Sequence, residues 1–95
     1  MSAPDPKRYQ LQVAASVSRA LSVGLPEAVA TAVLQLLTGD LLSHPKRVGK
    51  PLGQELTGLW SARRGEYRVL YEVDDDDRIV TVLDIAHRRD IYRSR

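Results

Sequence analysis

With 95 residues the chain is long enough for one domain with a real but thin core, and the absence of cysteine excludes disulfides, thiolate nucleophiles, iron–sulfur clusters and Cys-ligated zinc. The net charge is only +2 at pH 7, yet the charges fall in blocks: Lys46, Arg47, Lys50, Arg63, Arg64 and Arg68 stand against Glu55 and Glu66, and Arg88, Arg89, Arg93 and Arg95 against Asp90. A positive footprint confined to part of a small domain suits a polyanion or an acidic protein partner.

The elements follow in chain order. Met1 to Gln12 is polar and carries Pro4 and Pro6, without the apolar core of a secretion signal, and no apolar run approaches the ~18 residues that span a bilayer. The expectation is a cytoplasmic protein with no membrane role, disordered over residues 1–7. Tyr9 to Val13 alternates apolar and polar, the period of a half-buried strand. Ala14 to Leu21 reads as a short helix stopped by Gly24-Leu25-Pro26, and Pro26 opens the next one. From Glu27 to about Leu42, Val29, Ala32, Val33, Leu36 and Leu37 recur at helical spacing; Gly39 interrupts the stripe, and His44-Pro45 ends it. A loop with Gly49, Pro51, Gly53 and Gly58 comes next.

Beyond that loop the period becomes two. Leu59 to Arg63, Glu66 to Val73 and Ile79 to Ala86 read as successive antiparallel strands, turning at Arg64-Gly65 and across Asp74 to Asp77. The nearly all-apolar Ile79 to Leu83 suits a central strand covered on both faces. The order β-α-α-β-β-β, with a last turn near Asp90-Ile91-Tyr92, predicts a single α+β domain over 1–95 with two helices on one sheet face.

His44 and His87 have no metal-ligand spacing around them, and the four aspartates Asp74 to Asp77 lack the glycine and distal glutamate of a calcium loop, so a solvated hairpin tip is expected. Neither a metal nor a cofactor is expected. Phosphate-cradling glycine loops and serine elbows are missing from the sequence. Arginine, tyrosine and histidine remain, the groups a metal-free ribonuclease can use: cleavage by the 2′-hydroxyl of RNA needs a base, an acid and cations for the phosphorane. On the second of the three strands Tyr67, Val69, Tyr71 and Val73 share one face, and Arg68, Leu70 and Glu72 the other. Arg68 is then either a planar, bidentate phosphate fork or half of a structural ion pair with Glu66 or Glu72. The tail His87 to Tyr92 leaves the last strand where it can converge on Arg68. Tyr92 either stacks on a base or packs on the sheet, and His87, titrating near neutrality, is either a proton carrier or simply exposed. Trp60 reads as core or rim.

Val48-Gly49-Lys50-Pro51-Leu52, the run Glu55 to Tyr71 with its Leu59-Trp60-Ser61-Ala62-Arg63-Arg64-Gly65-Glu66-Tyr67-Arg68 centre, and His87-Arg88-Arg89-Asp90-Ile91-Tyr92 together resemble the RelE/ParE toxins, in particular the actinobacterial, mycobacterial-type RelE branch. The likeness runs over about residues 8 to 93. It implies a metal-independent endoribonuclease that cleaves mRNA in the ribosomal A site and arrests growth. It also implies a cognate antitoxin that covers the toxin, with operator DNA reached only through that complex. Carried over residue by residue, Arg68 matches the family's phosphate-contacting strand arginine, Arg88 the arginine after the last strand and Tyr92 the C-terminal tyrosine. His87 joins them as a catalytic candidate, and Lys46, Arg47, Lys50, Arg63, Arg64 and Arg89 as RNA-binding ones. The chain departs from the family pattern before Arg68, where Leu59 and Ser61 replace expected lysines; His87, Arg63 and Lys50 are the groups that could compensate. Two other readings share this fold: a ParE-like poison of DNA gyrase, and a weak toxin acting mainly in antitoxin binding and operator co-repression.

Overall fold

A computed structural model describes residues 8–53 and 58–87; residues 1–7 and the turn expected near Tyr92 lie outside that range. Five strands form one sheet in the order β1-β5-β4-β3-β2. They are β1 (Gln10–Val13), β2 (Lys50–Pro51), β3 (Leu59–Arg64), β4 (Tyr67–Asp74) and β5 (Ile79–His87). β1 runs parallel to β5, and every other pairing is antiparallel. The apolar run Ile79 to Leu83 is central as expected, lying between β1 and β4.

The helices cover one face. α1 (Ala15–Arg19) continues into a π-helical turn, Ala20–Gly24, closed by the Leu25 N–H donating to the Ala20 carbonyl. Pro26, whose fixed φ suits a helix entry, precedes α2 (Glu27–Thr38), which buries Val33, Leu36 and Leu37. The helix expected to run on to Leu42 instead breaks at Gly39, where φ is −119° and ψ −106°, and restarts as α3 (Asp40–Ser43). On an unbroken helix Leu42 would lie about half a turn away from Val33. The break lets Leu41 and Leu42 both enter the core, at 0% and 7% exposure. Only glycine fits there, because a Cβ would lie 2.9 Å from the Gln35 carbonyl.

α4 (Pro45–Val48) leads into β2, which occupies part of the stretch expected to be loop. Gly49 permits that passage: a Cβ would meet the Tyr71 hydroxyl and sit 2.8 Å from the Ser61 carbonyl. The buried Tyr71 hydroxyl donates to the Pro45 carbonyl at 2.6 Å, tying β4 to α4. Burial raises the pKa of this phenol to about 12. The helices and the inward residues Ala62, Val69, Tyr71, Val80 and Val82 make one core, with Trp60 and Ile85 packed at its margin. Among the described residues no helix is long and apolar enough to cross a membrane.

β5 is not a straight strand. Tyr71 faces Val82 whereas Leu70 faces Asp84, so one extra residue is accommodated at Leu83. Such a bulge reverses which face each later side chain takes. Asp84 is thereby exposed and Ile85 packs on the core.

Candidate nucleic-acid interface

The strand period sends Val69 and Tyr71 into the core and turns Arg68, Leu70 and Glu72 onto the face that the helices leave open. The register shows what joins them there. Arg63 on β3 is directly opposite Arg68, which is in turn opposite Ala86. The neighbouring row reads Lys50, Ser61, Leu70, Asp84 across four strands. Side chains paired across strands share a face, with Cβ atoms about 5 Å apart. Lys50, Arg63 and Arg68 therefore form a compact cationic triangle on the open face, with Arg63 and Lys50 exposed and Arg68 half-buried.

Of the two readings of Arg68, the ion pair is not observed. Among the described residues no carboxylate bonds to Arg68 or Arg63: Glu66 pairs with His87, and Glu72, four residues along the same strand, is about 13 Å away by strand rise. Like charges directly opposite each other destabilise a sheet. A guanidinium pair to which no carboxylate bonds among the described residues is a ready site for a phosphate, which accepts bidentate bonds from each planar fork.

The structure does not bring His87 to this cluster. His87 faces Tyr67 across the sheet, on the helix-covered side, with the rings edge to face at 5.1 Å. Its Nε2 lies 3.1 Å from Glu66 Oε1. The bulge is the reason, since a straight β5 would have placed His87 on the face of Arg68. Arg64 also belongs to the helix side, where it lines a shallow recess with Ala28, Val29, Ala32, Tyr67 and His87. Lys46 and Arg47 sit farther off, on α4 at the opposite end of the sheet, and Lys46 pairs with Asp75. Arg88, Arg89 and Tyr92 lie outside the described residues.

Lys50 is the residue whose placement was least legible. Two residues of strand inside a glycine- and proline-rich stretch carry no period, so nothing in the sequence put Lys50 beside Ser61. That position is one where the resemblance leads one to expect a lysine on β3 itself. The edge strand supplies an amine in the row next to the Arg63–Arg68 pair.

The family model described as ParE toxin of type II toxin–antitoxin system, parDE, matches residues 18–92. Toxin RelG of Mycobacterium tuberculosis is 52% identical over 69 residues, which is 73% of this chain and 79% of that protein. Toxin RelE of the same organism is 44% identical over 89 residues, 94% of this chain and 91% of that protein. The chain also superimposes on a chain in the crystal structure of the toxin–antitoxin complex RelBE2 from Mycobacterium tuberculosis, with a TM-score of 0.78 and 42% identity, covering 84% of this chain and 98% of that one.

Proposed function

The chain belongs to the ParE toxin family of type II toxin–antitoxin systems, and we propose that it acts there as a RelE-type endoribonuclease, cutting messenger RNA on the ribosome until a cognate antitoxin covers it. The observation that carries this reading is the Arg63–Arg68 pair with Lys50 beside it, on the sheet face that no helix covers among the described residues. A fold gains nothing from two opposed guanidinium groups, whereas a phosphorane gains two forks.

In this site Arg68 and Arg63 hold the scissile phosphate and offset the charge that develops on it. The 2′-hydroxyl gives up its proton, its oxygen attacks phosphorus, and the leaving 5′-oxygen takes a proton. The Lys50 ammonium, on the same face, supplies the proton that the leaving 5′-oxygen takes, and the proton of the 2′-hydroxyl passes to water. In this reading Arg88 serves the phosphate and Tyr92 the reacting nucleotide, a carry-over supported by their resemblance to the family's arginine and tyrosine. The cationic surroundings of Arg68 suit charge neutralisation by arginine better than ligation of a metal ion. Alignment of the RNA falls to the ribosome, because an open sheet face offers no cleft to orient a flexible strand.

Primer extension on a reporter mRNA during induction of the chain tests this, with the message translated or not. Cuts confined to the translated message are expected. Intact mRNA alongside growth arrest and a DNA-damage response would replace this reading with gyrase poisoning, and absence of any arrest would leave antitoxin binding and co-repression.

A further inference from the structure

A recess among the described residues lies away from the Arg68 face. At the other end of the sheet, where the start of β1, the α3–α4 junction and the β4–β5 hairpin meet, Arg8, Tyr9, Ser43, His44, Pro45, Lys46, Arg47 and Arg78 line a cavity of about 800 Å³. Its walls are tied together. Arg8 donates to the Thr38 carbonyl and to Ser43 Oγ, Asp75 bonds Lys46 and the Tyr9 hydroxyl, and the Arg78 guanidinium lies 5.2 Å over the Tyr9 ring. Arg8, Lys46, Arg47 and Arg78 thus line the recess together, with the Asp75 carboxylate bonded to Lys46 and Tyr9 at its edge. Of the other hairpin acids, Asp74 and Asp76 line a second recess, which Asp75 also borders, with Glu72 and Gln12, and Asp77 precedes Arg78 in the chain.

Arg78 adds an independent sign. Its φ is +59°, the only positive value at a non-glycine residue among the described ones. Glycine or asparagine takes that conformation with less strain, so the arginine carries a backbone cost at the wall of this recess. Strained backbone is characteristic of binding sites.

We infer that this recess is a second phosphate-binding site for RNA, distinct from the site of cleavage; the inference rests on the reading of the protein as an RNA-cutting toxin. Arg68 and Asp74 are six residues apart on β4, about 20 Å by strand rise, and the recess opens on the helix side of the sheet. One phosphate cannot occupy both places, so the recess holds a different stretch of RNA from the one that is cut. Concavity and composition favour RNA over an acidic polypeptide: the volume lies within the ~300–1,000 Å³ of a small-ligand site, arginine forks match phosphate, and an Arg–Tyr stack continues as a platform for a base.

The test is a salt titration of the full chain against a synthetic RNA hairpin, with R47A/R78G and R63A/R68A as separate variants. Glycine at 78 relieves the backbone, so thermal melting of R78G alone should show no loss. Each lost phosphate contact flattens the plot of log affinity against log salt by about 0.7–0.9, so R47A/R78G is expected to reduce the slope by nearly two. R63A/R68A is expected to do the same independently. An unchanged slope in R47A/R78G with a reduced one in R63A/R68A overturns the recess and leaves the cleavage reading standing. Unchanged slopes in both would remove the two together. Weakened antitoxin binding in R47A/R78G with RNA affinity intact would give the recess to the antitoxin and overturn the inference.

Discussion

Arg68 and Tyr71 are three residues apart on one strand and meet opposite environments, and each yields a prediction. Arg68 is half-buried on the open face opposite Arg63. Losing one preorganised charge-stabilising donor typically costs about 10²–10³ in rate, so Arg68→Ala should reduce mRNA cleavage by that order and relieve growth arrest. Arg68→Lys should recover only part of it, since an ammonium offers no bidentate fork. Antitoxin binding should persist in both variants, with Arg68→Ala losing no more than the salt-sensitive share that the open-face cations supply, and full toxicity in Arg68→Ala would end the assignment. Tyr71 is fully buried and its hydroxyl serves α4. Tyr71→Phe leaves the Pro45 carbonyl unsatisfied, at a cost of about 1–3 kcal/mol in denaturant unfolding. The pKa of about 12 lies above the ordinary phenol value of about 10, so the neutral form is the one the fold favours. Its stabilising contribution is complete below about pH 10 and is lost as pH rises toward 12. Tyr9 is also raised, by its hydrogen bond to Asp75, so phenolate absorbance should show a late-titrating component that Tyr71→Phe reduces and does not abolish. The face assignment of Arg68 was readable because strand period alone decides it; whether a carboxylate answered it was not, because that depends on which strand lies beside it.

The bulge in β5 shows where element-level reading stops. An all-apolar run carries no phase information, so the strand Ile79 to Ala86 was recognisable and central, yet its one extra residue at Leu83 was invisible. That residue decides the faces of everything after it, and it is why His87 meets Tyr67 and Glu66 instead of Arg68. A pair of substitutions checks the register in solution. With the bulge, Ile85 packs inward and Asp84 outward, so Ile85→Asp should cost about 3 kcal/mol or more by burying a carboxylate without a partner. Asp84→Ile should stay within roughly 0.5 kcal/mol. A straight strand predicts the reverse order, and chemical denaturation of the two variants separates the cases. The other departures are equally local: Gly39 splits one expected helix to turn Leu42 inward, and β2 forms where only a loop was legible because its two residues are recruited by β3.

For the whole molecule the decisive feature is that, among the described residues, helices cover one sheet face and not the other. The buried core among the described residues consists of eleven side chains, a small reserve for a chain of this size, and the open face is committed to Lys50, Arg63 and Arg68 instead of to a second layer of helices. Stability is therefore expected to depend on what binds. A partner that binds only the folded state adds RT ln(1 + [L]/Kd), about 2.7 kcal/mol at 100 times Kd. For a domain of up to ~100 residues each kcal/mol moves the melting temperature by about 4–8 °C. Cognate antitoxin in that excess should thus raise the melting temperature by roughly 10–20 °C, measured by calorimetry at fixed salt. Charge sharpens the expectation: an antitoxin that lays carboxylates over the open-face triangle loses part of this gain at high salt, and Arg63→Ala should reduce the salt-sensitive part and leave the rest. A shift that salt does not touch would mean that the antitoxin holds the toxin through apolar surface on the helix side and leaves the cationic triangle open.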